Sequence, residues 1–296
     1  MSTTATLPAS PAHVLGARPH GSLGTLLYRR WPLLLGTLVV LTFCLLALAA
    51  PLIAPYPPDV QNMSLALRGP SATHLFGTDE FGRDSLSRIL FGARLTLLAS
   101  SLAVVIAALL GCTMGLMAGY FGGLLDGIVG RFVDILFAFP VILLGISIVA
   151  ILGPGESSVI IAIAIASLPN FARVSRGAII PEKEREYVMA AHVIGASTPY
   201  IIARTLLPNL IGPLMVLISL GFAYAVLYEA SLSFLGLGAK PPTPEWGVML
   251  STGRDFLFQS PWYAFFPGAS IFLLVFSLNL IGDGLRDVVD PHRRSR

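Results

Sequence analysis

Charge is what this sequence has least of. Asp, Glu, Lys and Arg make up 12% of its 296 residues, against about 25% in a soluble globular domain, which excludes a chain that folds alone in water. Its two cysteines, Cys44 and Cys112, each sit inside an apolar run with no His or Cys cluster nearby. They read as small buried hydrophobes and not as a redox or metal pair. No GxxxxGK[ST] loop occurs to cradle a nucleotide phosphate, and neither metal-ligand spacing nor a nucleophile elbow is present. The sequence therefore offers no catalytic residue and no metal site. His192, flanked by Ala191 and Val193, reads as solvated or interfacial, and His74 and His292 as isolated. Away from their edges the apolar runs contain no Asp, Glu, Lys or Arg, so the buried charges through which an ion gradient acts are missing too.

What the chain does have is sequence suited to hydrocarbon: 55% hydrophobic residues and a mean hydropathy of +0.79. Crossing the membrane core takes about 20 helical residues. Six runs are expected to cross: 31–54, 95–120, 135–153, 157–172, 210–228 and 264–281. The expected fold class is thus an all-α polytopic membrane protein with six transmembrane helices, multi-pass in the cell membrane and in contact with lipid. Six crossings put both termini on one side. If that side is the cytoplasm, 13 of the 19 Lys and Arg lie there, as the positive-inside bias asks. The net charge of +3, spread over loops and tails, then sets orientation and implies no nucleic acid. Residues 1–30, rich in Ala, Ser, Thr, Pro and Gly, read as a disordered cytoplasmic tail. Residues 55–94 read as an extracytoplasmic loop, 95–285 as a five-helix core and 286–296 as a cytoplasmic tail. Ala47-Leu48-Ala49 resembles a signal-peptidase site, but a 30-residue lead-in is long for a signal sequence and favours a retained anchor.

Several local patterns add detail. In the 55–94 loop, Leu86, Ile89, Leu90 and Ala93 fall at helical spacing beside Arg83 and Arg88, which predicts an amphipathic helix along the membrane surface. Gly77-Thr78-Asp79 and Gly82-Arg83-Asp84 read as a capped turn, since no strand precedes them to make a phosphate loop. Gly111, Gly115 and Gly119, continued by Gly123 and Gly127, recur every four residues and form a helix-packing ridge, for this chain or for another subunit. Arg131 and Asp134, three apart, are placed to pair on one helix face. Gly236 to Pro261 reads as a Pro-rich loop, with Trp246, Trp262 and Tyr263 at the outer interface and Tyr28 and Trp31 at the inner one. Glu229 closes the fifth run ahead of Ser231 and Ser233. It either lines a pathway or caps the fold at the outer surface.

The most informative stretch is 182–208, polar and helix-forming between two lipid-compatible runs. Glu182, Glu184 and Glu186 suit the positive end of a helix dipole, and Tyr187, Ala191 and Ile194 then lie on one apolar face. Gly195 is the natural stop. Thr198-Pro199 starts a second short helix that is expected to end before Pro208. With neither an ATP site nor buried charges, the chain needs a cytoplasmic handle on which a separate ATPase can push, and this hairpin, within the cytoplasmic loop 173–208, is that handle. An ion-coupled secondary transporter is the alternative, but it would need an inverted repeat and a midplane ionisable site. A scaffold without transport would leave the hairpin unused.

Met189-Ala190-Ala191, then Gly195, then Leu207-Pro208 resemble the EAA motif of ABC-importer permeases: EAA, three residues, Gly, nine residues, I-x-L-P. Met189 stands where that motif usually has Glu and Thr205 where it has Ile, while Glu186 supplies an acid one turn earlier. GTDEFGRDSLSRILFGAR, EASLSFLGLG, PPTPEWGVML and GDGLRDVVDP are similar to signatures of the C-type permease subunit of dipeptide, oligopeptide and nickel importers, over about 76–291. The resemblance implies a type I ABC-importer permease fold working by alternating access. It implies a coupling helix that docks into an ATP-binding subunit through Glu186, Tyr187, Met189, Ala190, Ala191, Ile194, Gly195, Pro199, Leu207 and Pro208. The implied partners are a homologous second permease, one or two ABC ATP-binding subunits and an extracytoplasmic substrate-binding protein. ATP and Mg would bind those ATPase subunits, and this chain would bind no cofactor.

Overall fold

The computed structural model describes residues 23–289, with side chains from 31 to 288. Of the expected disordered tail, 1–30, residues 1–22 lie outside the described residues, whereas 23–30 are helix and not disordered, the apolar Leu23, Leu26 and Leu27 extending the first span toward the N-terminus. Residues 290–296 with His292 and the end of the GDGLRDVVDP motif also lie outside the described residues, as does the side chain of Tyr28. Contacts divide the chain into a short unit, Met1–Trp31, described as helix from residue 23, and a main unit, Pro32–Arg296.

Among the described residues ten α-helices follow one another: α1 Leu23–Ile53, α2 Ser85–Phe121, α3 Gly123–Phe137, α4 Val141–Leu152, α5 Glu156–Lys183, α6 Glu186–Val193, α7 Thr198–Tyr200, α8 Leu207–Phe234, α9 Trp246–Asp255 and α10 Pro261–Val289. A π-helical segment, Ile201–Leu206, joins α7 to α8 without a break. Among the described residues no strand forms, and one isolated bridge links Thr78 and Asp84. Among the described residues five helical stretches are long and apolar enough to cross a membrane, and α3 with α4, bent by 92°, make a sixth crossing if counted as one broken span. The interior is built on α2 lying along α5 and on α8 packed against α10, α2 and α5.

The structure departs from the sequence expectations in several places, each with a local cause. Residues 85–94 do not lie along the membrane surface: they are the first turns of the 37-residue α2, with Arg88, Ile89, Leu90 and Ala93 buried. Buried acids attract their basic side, since Arg83 and Arg88 both pair with the buried Asp79 and Arg88 also donates to the carbonyls of Pro58 and Pro242. The third run is two helices because Pro140 lacks an N–H and disfavours helical backbone at Phe139. Asp134 pairs with Arg173 of α5, 2.9 Å away, and not with Arg131 one turn before it. The fourth run is a full 28-residue helix through Pro169 and Pro181, as membrane helices tolerate proline when neighbours satisfy the freed backbone. The stretch expected as a Pro-rich loop contains α9, whose Trp246 is wholly buried and donates its indole N–H to the Ile89 carbonyl at 2.9 Å. Trp246 and Tyr263 are therefore interior residues, and of the three aromatic residues assigned to the outer interface only Trp262 is exposed.

Other expectations hold in atomic detail. The Gly77 to Asp84 segment is a capped turn: the Asp79 carboxylate accepts from the backbone N–H groups of Phe81 and Arg83, and Asp84 caps α2 by accepting from the Ser87 N–H at 2.8 Å. His74, expected as isolated, instead stands 2.9 Å from Asp84 through Nδ1 and is buried there. Cys44 and Cys112 are free and partly buried.

Candidate functional site

The hairpin between α5 and α8 stands at the end of the bundle that the charge bias assigns to the cytoplasm. Its first helix, α6, starts at Glu186; Glu182 and Lys183 belong instead to the last turn of α5, and Glu184 and Arg185 form the corner. Only Glu186 of the three acids therefore sits where it can complement the α6 dipole. At the other end Gly195 has φ +79°, its N–H bonds the His192 carbonyl and the Ala196 N–H bonds the Ala191 carbonyl, both at 3.0 Å. That pair of bonds is a Schellman stop, which satisfies carbonyls the helix would otherwise leave open.

The second helix does not end before Pro208. Thr198 and Pro199 start it as expected, but the π segment carries it into α8, with the Leu207 N–H bonded to the carbonyl of Ile202, five residues back. Widening the turn there places Pro208 at the start of a fresh α segment, where its missing N–H costs nothing. The handle is thus covalently and helically continuous with a span.

Two sets of contacts tie α6 to the bundle, and a third ties the end of α5 beside it to α2. Val188 and Ala191 face inward and join the core that holds Ile201 and Leu206. The Tyr187 hydroxyl donates to Glu182 and accepts from Asn209 Nδ2 at 3.1 Å, tying α6 to the ends of α5 and α8. Burial, then the adjacent Glu182 carboxylate, pushes the Tyr187 hydroxyl above its usual pKa and keeps it a donor. Lys183 Nζ donates to the carbonyls of Gly119 at 2.7 Å and Tyr120 at 3.1 Å, capping α2. Lys183, Val188 and Asn209 were not singled out from sequence, although a basic residue in a last helical turn is a readable capping signal.

Outward, the hairpin presents an apolar surface. Val193 and Ile194 are 86% and 82% exposed, and Tyr187, Met189, Tyr200 and Leu207 are also exposed. Of the residues the motif singles out, Glu186, Ala190, Gly195, Pro199 and Pro208 share that exposure, while Ala191 turns inward. His192 is exposed as expected, with Nε2 3.5 Å from the Tyr120 hydroxyl.

The glycine ridge is placed inside this chain. A Cβ on Gly111 would stand 2.7 Å from the Leu168 carbonyl and Phe171 Cβ of α5, and those on Gly115 and Gly119 would strike Ala172, Ser175 and Ile179 of the same helix. Gly123 and Gly127, beyond α2, meet nothing within 4 Å. Glu229 lies near the outer end of α8 and is 2% exposed. Among the described residues, no group of three or more His, Cys, Asp or Glu is arranged to hold a metal ion.

A helical bundle with five or six membrane-crossing stretches among the described residues, and an exposed apolar hairpin between two of them, defines a polytopic α-helical membrane protein. Residues 111–295 match the binding-protein-dependent transport system inner membrane component family. Residues 27–70 match the N-terminal TM domain of oligopeptide transport permease C. The chain belongs to the family of binding-protein-dependent transport system inner membrane components, and is a permease component in the inner membrane. It is 48% identical to a dipeptide transport system permease protein of Alkalihalophilus pseudofirmus, over 88% of this chain and 86% of that one. It is 44% identical to a di/tripeptide transport system permease protein of Pseudomonas aeruginosa, over 93% and 89%. A glutathione transport system permease protein of Escherichia coli is 45% identical over 86% and 84%. The fold is that of a chain in inward-facing crystals of the MetNI methionine ABC transporter, with TM-score 0.57 and 18% identity, over 69% of this chain and 96% of that one.

Proposed function

We propose that this chain is one of two permeases that form the membrane path of an ATP-driven importer of di- and oligopeptides. The observation that carries the reading is the hairpin: exposed apolar residues on a polar segment that is tied to α5 and α8. Such a patch is costly in water and suits a protein partner. An ATP-binding subunit seated on Glu186, Tyr187, Met189, Ala190, Ile194 and Gly195 would move α6 as it closes on ATP and Mg, and the continuous π–α8 helix would carry that movement into the span. The partner subunits would do the hydrolysis, since this sequence has no phosphate-cradling loop. A homologous permease would complete the path, and an extracytoplasmic binding protein would deliver cargo. Peptide cargo is supported by the relatives, which are named for dipeptide, di/tripeptide and glutathione transport.

The test is uptake of a labelled dipeptide by proteoliposomes holding the complete transporter, with ATP inside and binding protein outside. Uptake that needs ATP and this chain, and that is competed by di- and tripeptides but not by free nickel, is the expected result. Gradient-driven uptake by this chain alone would instead establish the ion-coupled alternative.

A further inference from the structure

GTDEFGRDSLSRILFGAR carries three arginines, and the fold treats the third differently. Arg83 and Arg88 are buried and pair with Asp79. Arg94, six residues further along α2, is exposed and makes no side-chain hydrogen bond or ion pair among the described residues. It is the last charge before the uncharged run of α2, 95–121, which puts it at the outer edge of the membrane in the orientation the charge bias sets.

Arg94 heads a groove of about 390 Å³ between α1 and α2, walled by Cys44, Ala47 and Leu48 on one side and Leu97, Leu98 and Ser101 on the other. Ser101 also lines a second cavity of about 350 Å³, which continues deeper past Val40, Val104 and Val105 toward α8 and α10. Each has the volume of a small-molecule site, about 300–1,000 Å³. From Arg94 to Val105 is eleven residues of helix, about 16 Å, or close to half of the roughly 30 Å hydrocarbon core. The two cavities together therefore span the depth of one leaflet.

A phospholipid has the two parts that such a groove asks for. Its phosphate accepts two parallel N–H bonds from a guanidinium, and its acyl chain covers apolar wall. Headgroup charge follows from what the walls lack: neither cavity is lined by Asp or Glu. The ammonium of a zwitterionic headgroup would find no acid there and would compete with Arg94 for its own phosphate. A headgroup of net negative charge brings no such competitor.

We infer that the groove between α1 and α2 binds one anionic phospholipid of the outer leaflet, its phosphate on Arg94 and an acyl chain laid along Leu97, Leu98 and Ser101 toward Val105. Of the crossing helices, α1 is the least buried among the described residues, so a lipid held in this seam adds to what fixes it against the bundle. The inference concerns the lipid face alone and depends neither on the cargo nor on the hairpin.

The experiment offers the delipidated complete transporter equal amounts of phosphatidylglycerol and phosphatidylethanolamine and counts bound lipids by native mass spectrometry. Wild type should hold one phosphatidylglycerol per copy of this chain, at least fivefold in preference to phosphatidylethanolamine. Arg94→Gln, which removes the charge, and Leu98→Trp, which puts an indole into the groove, should each lower that occupancy at least fivefold. Undiminished phosphatidylglycerol binding by both variants, or no preference between the headgroups, would overturn the inference. Loss of the second permease from Arg94→Gln with the lipid count unchanged would also overturn it, by assigning Arg94 to a protein partner. Should either variant fail to assemble, wild type decides with a phosphatidylglycerol that carries a diazirine on its acyl chain. Labelling concentrated on α1 and α2 around Leu48 and Leu98 supports the site, and labelling spread evenly over the lipid-facing helices refutes it.

Discussion

Replacing Gly115 by isoleucine is expected to remove the folded permease from the membrane. The α2–α5 seam brings the two helices so close at this residue that an added Cβ would strike the Ala172 carbonyl and the Ser175 hydroxyl, and Ser175 is itself bonded back to Phe171. The obstacle is largely backbone, which no rotamer change clears. Overpacking a well-fitted core typically costs about 1–3 kcal/mol, and a β-branched residue against a facing main chain falls at or above the top of that range. Against a total stability of about 5–15 kcal/mol this is decisive. In lipid the loss has no hydrophobic compensation, because close approach is itself what holds such helices together. The measurement is the amount of chain in the membrane fraction and its melting temperature in detergent. Gly127→Ile is the control, since nothing stands within 4 Å of the Cβ it would add. The isolated chain carrying it should match wild type.

Gly195→Val is expected to abolish transport, at least tenfold, while leaving the chain assembled at its normal level. No atom lies within 4 Å of the Cβ position, so the entire penalty is conformational, from φ +79°. Left-handed backbone costs an ordinary L-residue about 1–2 kcal/mol, and a β-branched one more. The turn relieves that strain by unwinding the Schellman stop, which reorients Val193 and Ile194, the two most exposed hydrophobic residues of the hairpin. The core pairs Val188 and Ala191 with Ile201 and Leu206, so the bundle survives. Gly195→Asn should keep most of the uptake, since Asn tolerates the left-handed region. Equal uptake by the valine variant at normal protein level would show that the hairpin geometry is not used.

The sequence made the membrane class, the number of crossings and the turn at Gly195 legible because each rests on local chemistry: run length, charge scarcity and a residue type that permits positive φ. The glycine ridge was readable as a contact face, yet its partner was not, because spacing of four says nothing about which helix lies opposite. Pro140 and Pro208 show the limit from another side. Both offer the same local signal, but one bends a span by 92° and the other is absorbed by a π segment, and only the packing around each decides. Interior charges were hardest. Asp79 with Arg83 and Arg88, and His74 with Asp84, join residues 4 to 10 apart in sequence outside any helical repeat, and the apolar spacing around Arg88 suggested a surface helix where a buried ion network stands.

Site-specific cross-linking tests the central claim most directly. In a chain with Cys44 and Cys112 replaced by alanine and a single cysteine placed at Ile194, the assembled transporter is treated with a short thiol cross-linker. The account predicts that Ile194→Cys joins this chain to its ATP-binding subunit, with the yield changing when ATP is added, whereas a cysteine at Leu52, exposed at the opposite end of a span, gives no such product. An actively transporting complex in which Ile194→Cys never cross-links to the ATPase would contradict it.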